Sequence, residues 1–168
     1  MKTFIESQFK YCPLLWMFHS RTLEDRINKL HERALRVVYK DSNLTFEELL
    51  EKDNSFTTHH RNLQHLAILM YKVKNNLAPL PVQEIFKINS SDKAKSDWVI
   101  PKVRTEDNGL DAIRYRGPLT WNLLPEEIKS AKTLKSFKTK VKLWKPHGCT
   151  CRICLSYING VGYIDRPY

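Results

Sequence analysis

No stretch of this chain is apolar for long. The longest apolar run, Tyr11 to Phe18, is far shorter than the roughly 20 residues a membrane span needs, and it contains Pro13. A membrane-spanning helix is therefore not expected. Four cysteines, three of them within six residues, in a chain that opens on no apolar, cleavable segment lead us to expect a reducing compartment, the nucleus or cytoplasm. Catalytic signatures are missing as well: there is no glycine-rich phosphate loop, no G-x-S-x-G elbow and no H-E-x-x-H helix. The H-x-E and P-C-x-x-C elements of a zinc deaminase are also absent. Glu47 with Glu48, and Glu126 with Glu127, are neighbours on helices, so each pair diverges by about 100° and cannot share a substrate atom. Asp92, Asp97, Asp107 and Asp111 are scattered, unlike the clustered aspartates of a two-metal polymerase centre. These absences predict a protein that is not an enzyme and has no small-molecule substrate.

One charge sign is also locally missing. Between Lys129 and Arg152 there are eight cations and no carboxylate, in a chain of 168 residues with formal charge +10. That imbalance implies an anionic partner. With 42% hydrophobic residues the chain can bury the core of one ordinary domain, with or without a small appendage.

What is present is helical periodicity. Over Arg21 to Asp41, Leu23, Ile27, Leu30, Ala34, Val37 and Val38 recur at three- and four-residue steps and predict a core seam. Arg26, Lys29, Arg33, Arg36 and Lys40 step the same way beside it, forming a basic ridge, with Thr22 as the expected N-cap. Before it, Lys2 to His19 reads as a mostly buried helix that Pro13 kinks or divides, with Cys12 as a small buried hydrophobe. Thr45 and Glu48 make a capping box for a short helix, with Leu44 and Leu49 placed as a hydrophobic staple. Ser55 or Thr58 opens the next helix, whose face carries Leu63, Ala67, Met70 and Leu77.

Residues 89–111 lack a sustained period and read as a long loop that Trp98 and Ile100 pin locally. Ile113 to Arg116 is expected as a short extended piece ending at a Gly117-Pro118 turn, followed by a helix around Trp121. In the last helix, Thr133 to Trp144, an apolar stripe of Leu134, Phe137, Val141 and Trp144 runs beside Lys135, Lys138, Lys142 and Lys145. Two helices with a cationic ridge point to a bound polyanion more strongly than either alone, with simple solubility as the equal alternative.

The tail His147-Gly-Cys149-Thr-Cys151-Arg-Ile-Cys154 can converge on one soft cation. Zinc prefers four sulfur or nitrogen ligands in a closed structural site, and His147 could complete the set. A fourth ligand could instead come from His59, His60, His65 or a partner chain. The plainer alternative is a cluster of free cysteines on a frayed terminus.

Four blocks carry a resemblance: SQFKYCPLLWMFHSRTLEDRINKLHERALRVVYKD, HHRNLQHLAILMYKVKNNLAP, IRYRGPLTWNLLPEEIKSAKTLKSFKTKVKLW and CTCRICLSYINGVGYI. Together, and in this order over nearly the whole chain, they resemble the C-terminal end of the polyprotein of non-LTR retrotransposons of the jockey-like and chicken-repeat-like kinds. The resemblance implies a thumb and post-polymerase extension of a reverse transcriptase, which grips template and primer and ends in a cysteine motif. The palm's paired aspartates and any endonuclease domain are missing, so the RNA-directed DNA polymerase activity of the parent is not carried over. Met1 falls inside what would be continuous coding sequence, as in a truncated copy. In that family the closely spaced cysteines correspond to Cys149, Cys151 and Cys154, and His147 is not part of the pattern.

The expectation is an all-α protein: a thumb-like helical bundle over 1–88, an irregular linker over 89–111, a small basic helical module over 112–146 and a cysteine-containing tail over 147–168. It would hold RNA or an RNA/DNA duplex through phosphate contacts from Arg26, Lys29, Arg33, Arg36, Lys40, Lys135, Lys138, Lys142 and Lys145, with zinc in the tail. The competing expectation is a helical remnant that meets a protein partner, or itself, through the apolar first helix.

Overall fold

The computed structural model describes residues 11–17, 21–89, 97–103, 112–146, 149–151, 153 and 154. The chain is all-α, and its helices run in the order α1 (Pro13–Trp16), α2 (Arg21–Tyr39), α3 (Phe46–Lys52), α4 (Thr58–Lys74), α5 (Leu80–Gln83), α6 (Ile113–Asn122), α7 (Glu126–Lys129) and α8 (Leu134–Val141). Among the described residues there is no strand, and no helix is long and apolar enough to cross a membrane.

Helix α4 is the axis. Its side chains are buried on nearly every side, from His59, His60 and Asn62 through Leu63, Leu66, Ala67, Met70, Tyr71 and Val73. Helices α1, α2, α6 and α8 all pack on it. Its start is set by Thr57, whose hydroxyl accepts from the His60 amide at 3.3 Å, rather than by Ser55 or Thr58. It ends in a Schellman turn: Asn76 sits in the left-handed region at φ 55°, and the amides of Asn76 and Leu77 reach back to the Val73 and Lys72 carbonyls. Leu77 therefore lies beyond the helix and is exposed, not on its buried face.

The main core joins α4 to both ends of the chain. Met17 contributes from the N-terminal side, while Trp121, Leu124, Phe137, Val141 and Trp144 come from the region expected to form a separate module. Tyr71 stacks on Phe137 with ring centres 4.2 Å apart and donates its hydroxyl to the Ala131 carbonyl at 2.9 Å. The residues around Trp98 are clasped into this core. Asn89 and Val99 amides bond the Asp97 and Lys87 carbonyls, Ile88 and Trp98 form an isolated antiparallel bridge, and the Trp98 ring is buried against Phe86 and Trp121. Asp97 accepts from Lys74 Nζ at 2.7 Å and Trp121 Nε1 at 2.8 Å. The Lys74 contact holds its carboxyl below the usual range against the opposing effect of burial.

A second, smaller core of Leu35, Phe46, Leu49 and Leu50 ties α3 to α2. The capping box is formed, with Glu48 Oε2 accepting from the Thr45 amide at 2.7 Å and Thr45 Oγ1 accepting from the Glu48 amide at 3.3 Å. Leu44 packs against the same cluster, as a hydrophobic staple requires. Because α3 is folded back by this tight turn, it decides which face of α2 is covered. That face carries Glu24, Ile27, Asn28, His31, Glu32 and Leu35, about 90° around the cylinder from the aliphatic seam expected from periodicity. His31 sets its ring edge-on to Phe46 at 5.6 Å. Leu23, Leu30, Val37 and Val38 are left 43%, 53%, 77% and 49% exposed. Thr22 lies within α2 and does not cap it.

Other local expectations are corrected too. Pro13 begins α1, while residues 2–10 of the expected first helix lie outside the described residues; Cys12, expected to be buried, is exposed, in the left-handed region at φ 42°. Phe4, Phe9 and Phe18 lie outside the described residues. Ile113 to Asn122 is one helix running through Gly117 and Pro118, with no extended piece or turn at that point. Glycine is required here by approach: a Cβ on Gly117 would lie 2.6 Å from Met70 Sδ and 2.7 Å from Phe86 Cε1. The missing side chain lets α6 lie directly on α4.

Gly117→Ala should therefore lower the thermal midpoint. Overpacking costs about 1–3 kcal/mol, against about 1 kcal/mol gained in helix propensity. A circular-dichroism melt checks the sign, and a raised midpoint would show that Met70 and Phe86 yield without cost.

Candidate metal centre

Three local features deliver the tail to one end of α4. The first is α8, capped by Thr133, whose hydroxyl accepts from the Ser136 amide at 3.2 Å, and anchored by buried Phe137 and Val141. The second is Gln64, buried on α4, whose Nε2 donates to the Trp144 carbonyl at 2.9 Å and ends the run of α8 beside the first turns of α4. The third is Arg116 on α6, whose Nη1 donates to the Thr150 carbonyl at 3.2 Å. The segment between these anchors brings Cys149, Cys151 and Cys154 inward, and all three are buried together with Ile153.

They meet His59. Its Nε2 lies 3.2 Å from Cys154 Sγ and 3.3 Å from Cys151 Sγ, and the four candidate ligand atoms all lie within 4.8 Å of one another. A tetrahedral zinc with Zn–S near 2.3 Å and Zn–N near 2.0 Å sets ligand atoms about 3.5–3.8 Å apart. The donor set, its spacing and its burial thus fit a closed structural site: one imidazole and three thiols form a cluster that can hold a metal ion such as zinc. The His59 Nδ1 atom is buried with no hydrogen-bond partner among the described residues.

The sulfurs share protons unequally. Hydrogen bonds from Cys149 and Cys154 hold the Cys151 thiol well below its ordinary value, with the Arg116 charge adding to the effect. Cys154 is pushed far up, first by its hydrogen bonds to Cys149 and Cys151 and then by burial. The opposed shifts describe one shared site: Cys151 is the sulfur readiest to be a thiolate, and its neighbours donate to it. The Cys154 amide also points at Cys151 Sγ, at 3.4 Å. A divalent cation would displace these shared protons and let all three sulfurs serve as thiolates.

The expected zinc ligands Cys149, Cys151 and Cys154 are brought together. His147 lies outside the described residues, and His59, 92 and 95 residues before Cys151 and Cys154, stands in the fourth position. Of the other histidines considered, His60 is turned to Phe56 with ring centres 6.1 Å apart, and His65 is exposed. The expected phosphate contacts Arg26, Lys29, Arg33, Lys40, Lys135, Lys138, Lys142 and Lys145 are all exposed. Arg36 differs: it binds Glu32 at 2.6 Å and donates to the Ser42 carbonyl at 2.6 Å, closing the turn after α2. Sequence reasoning did not single out Gln64 or Arg116, because neither belongs to a motif. The one signal was polarity at positions whose neighbours are core residues.

No family model, curated protein or solved structure matches this chain.

His59→Ala should weaken zinc binding by more than about 100-fold, the upper range for loss of mere outer partners, whereas His147→Ala should leave it within a few-fold. Competition with a chromophoric chelator measures both. The reverse ranking would hand the fourth position to His147.

Proposed function

We propose that this chain is a non-catalytic nucleic-acid-binding module that holds RNA or an RNA/DNA duplex by its phosphates, with a metal-stapled tail completing its fold. Arg26, Lys29 and Arg33 along α2, and Lys40 just after it, carry the reading: all four are exposed. On and just after α8, Lys135, Lys138, Lys142 and Lys145 are exposed in the same way, in a region without acidic residues. Cations that serve only solubility usually sit among carboxylates, and long single-sign rows concentrate potential instead. Such contacts position a duplex without reading its sequence. The resemblance to the thumb end of a retrotransposon reverse transcriptase points the same way, and under it the module would grip template and primer beside a separate catalytic palm.

A second reading rests on the aliphatic side chains that α2 leaves exposed. Leu23, Leu30 and Val37 recur every seven residues, next to Arg26, Arg33 and Lys40. Two copies of this face would oppose cation to cation, so the fitting occupant is an acidic amphipathic helix of another protein. A labelled acidic helical peptide should then bind the chain and lose binding in Leu30→Ser/Val37→Ser. An equal affinity in that variant would remove the stripe from the contact.

The nucleic-acid reading is tested by fluorescence anisotropy with a labelled RNA/DNA primer–template at two salt concentrations. Arg26→Glu/Arg33→Glu should weaken binding to all sequences alike and reduce the salt slope by about 2, near 0.9 per lost phosphate contact. Unchanged affinity and slope would take α2 off the binding surface, and no binding at low salt by a folded chain would end the reading.

A further inference from the structure

A divalent ion held by three thiolates and one neutral imidazole carries one net negative charge, and here the whole set is buried. A buried charge without a counter-charge is costly, so something near the cluster should offset it. Arg116 is the only Lys or Arg that is buried among the described residues, at 6% exposure. Its guanidinium donates to the carbonyl of Thr150, the residue between two of the ligand cysteines. Its place on α6 is fixed from behind by the close approach of Gly117 to Met70 and Phe86, so the side chain is delivered to the cluster by a rigid helix.

We propose that Arg116 is the built-in counter-charge of the metal centre and the residue that sets the Cys149–Cys151 spacing. Resting on the metal-site reading, it is a positioning residue: it touches the backbone between ligands and acts on the ion through them. Its guanidinium does two things with one side chain. The positive charge offsets the excess negative charge of the thiolates, and the hydrogen bond to Thr150 fixes the carbonyl so that the flanking side chains turn to the same side. A cleft of about 230 Å³, with Arg116, Cys149 and Thr150 on its wall, admits solvent to that side of the centre. Solvent there screens part of the attraction, so loss of Arg116 should cost roughly what loss of an outer-shell partner costs and not abolish binding.

The experiment is zinc affinity of the full chain by chelator competition for Arg116→Gln and Arg116→Lys, with helicity followed by circular dichroism. Arg116→Gln should weaken zinc about 10- to 100-fold, and Arg116→Lys, which keeps the charge, should recover most of that loss. Equal losses in the two variants would overturn the counter-charge role, as would unchanged affinity in Arg116→Gln. If Arg116→Gln loses its helicity, the lysine variant decides alone: near-native affinity supports the proposal and a full loss overturns it. A wild-type chain that takes up no stoichiometric zinc would instead defeat the metal-site reading on which the proposal stands.

Discussion

A helix buried on nearly every side must be chiefly apolar, or else each buried polar group on it must find a partner inside the protein. Helix α4 meets this constraint in two ways. From Leu63 to Val73 it is chiefly apolar and takes α1, α2, α6 and α8 against its sides. Its first turns are polar, with buried His59 and Gln64, and the partners of those two come from residues 142–154. The enclosure of α4 and the inward turn of the cysteine tail are therefore one event: neither element is satisfied without the other.

The metal centre extends that event across the longest separations in the described fold. Joining His59 to Cys151 closes a loop of 92 residues, which carries a large entropic cost in the unfolded chain. A structural zinc contributes on the order of 10–16 kcal/mol in small zinc-binding peptides, comparable with the whole stability of a typical domain. An ion at this position would thus act as a clip between the two ends of the core. The ligand set contains none of the exposed cations of α2 and α8, so in the proposed function the centre has a structural part.

Helix α2 shows how little a face is worth before its neighbour is known. Its aliphatic side chains are regularly spaced, yet the short α3, pulled back by the Asp41 to Thr45 turn, packs on Leu35 and His31, and with α4 it leaves the flank that also bears Asn28 buried. The enclosed flank is the more polar one. Arg36 is taken up in this same turn through Glu32 and Ser42, while Arg26, Lys29, Arg33 and Lys40 stay open to solvent. One tertiary contact thereby separates a structural arginine from four cations available to a partner.

Much was legible locally. Helix class, the Thr45–Glu48 box, the stripe of Phe137, Val141 and Trp144, and the three cysteines as a cluster all depend on residues within a few positions of one another, where capping and periodicity act. The fourth ligand, the buried flank of α2, the continuity of α6 through Pro118 and the place of Arg116 depend on groups far apart in sequence. His59, His60 and His65 are chemically alike in the sequence; only the position of α8 and the Gln64 contact select His59. The sequence by itself determined the helical class and the three cysteines as candidate metal ligands, because those properties are local chemistry. Which groups meet was decided by packing around α4, because burial is shared between elements and has no local code.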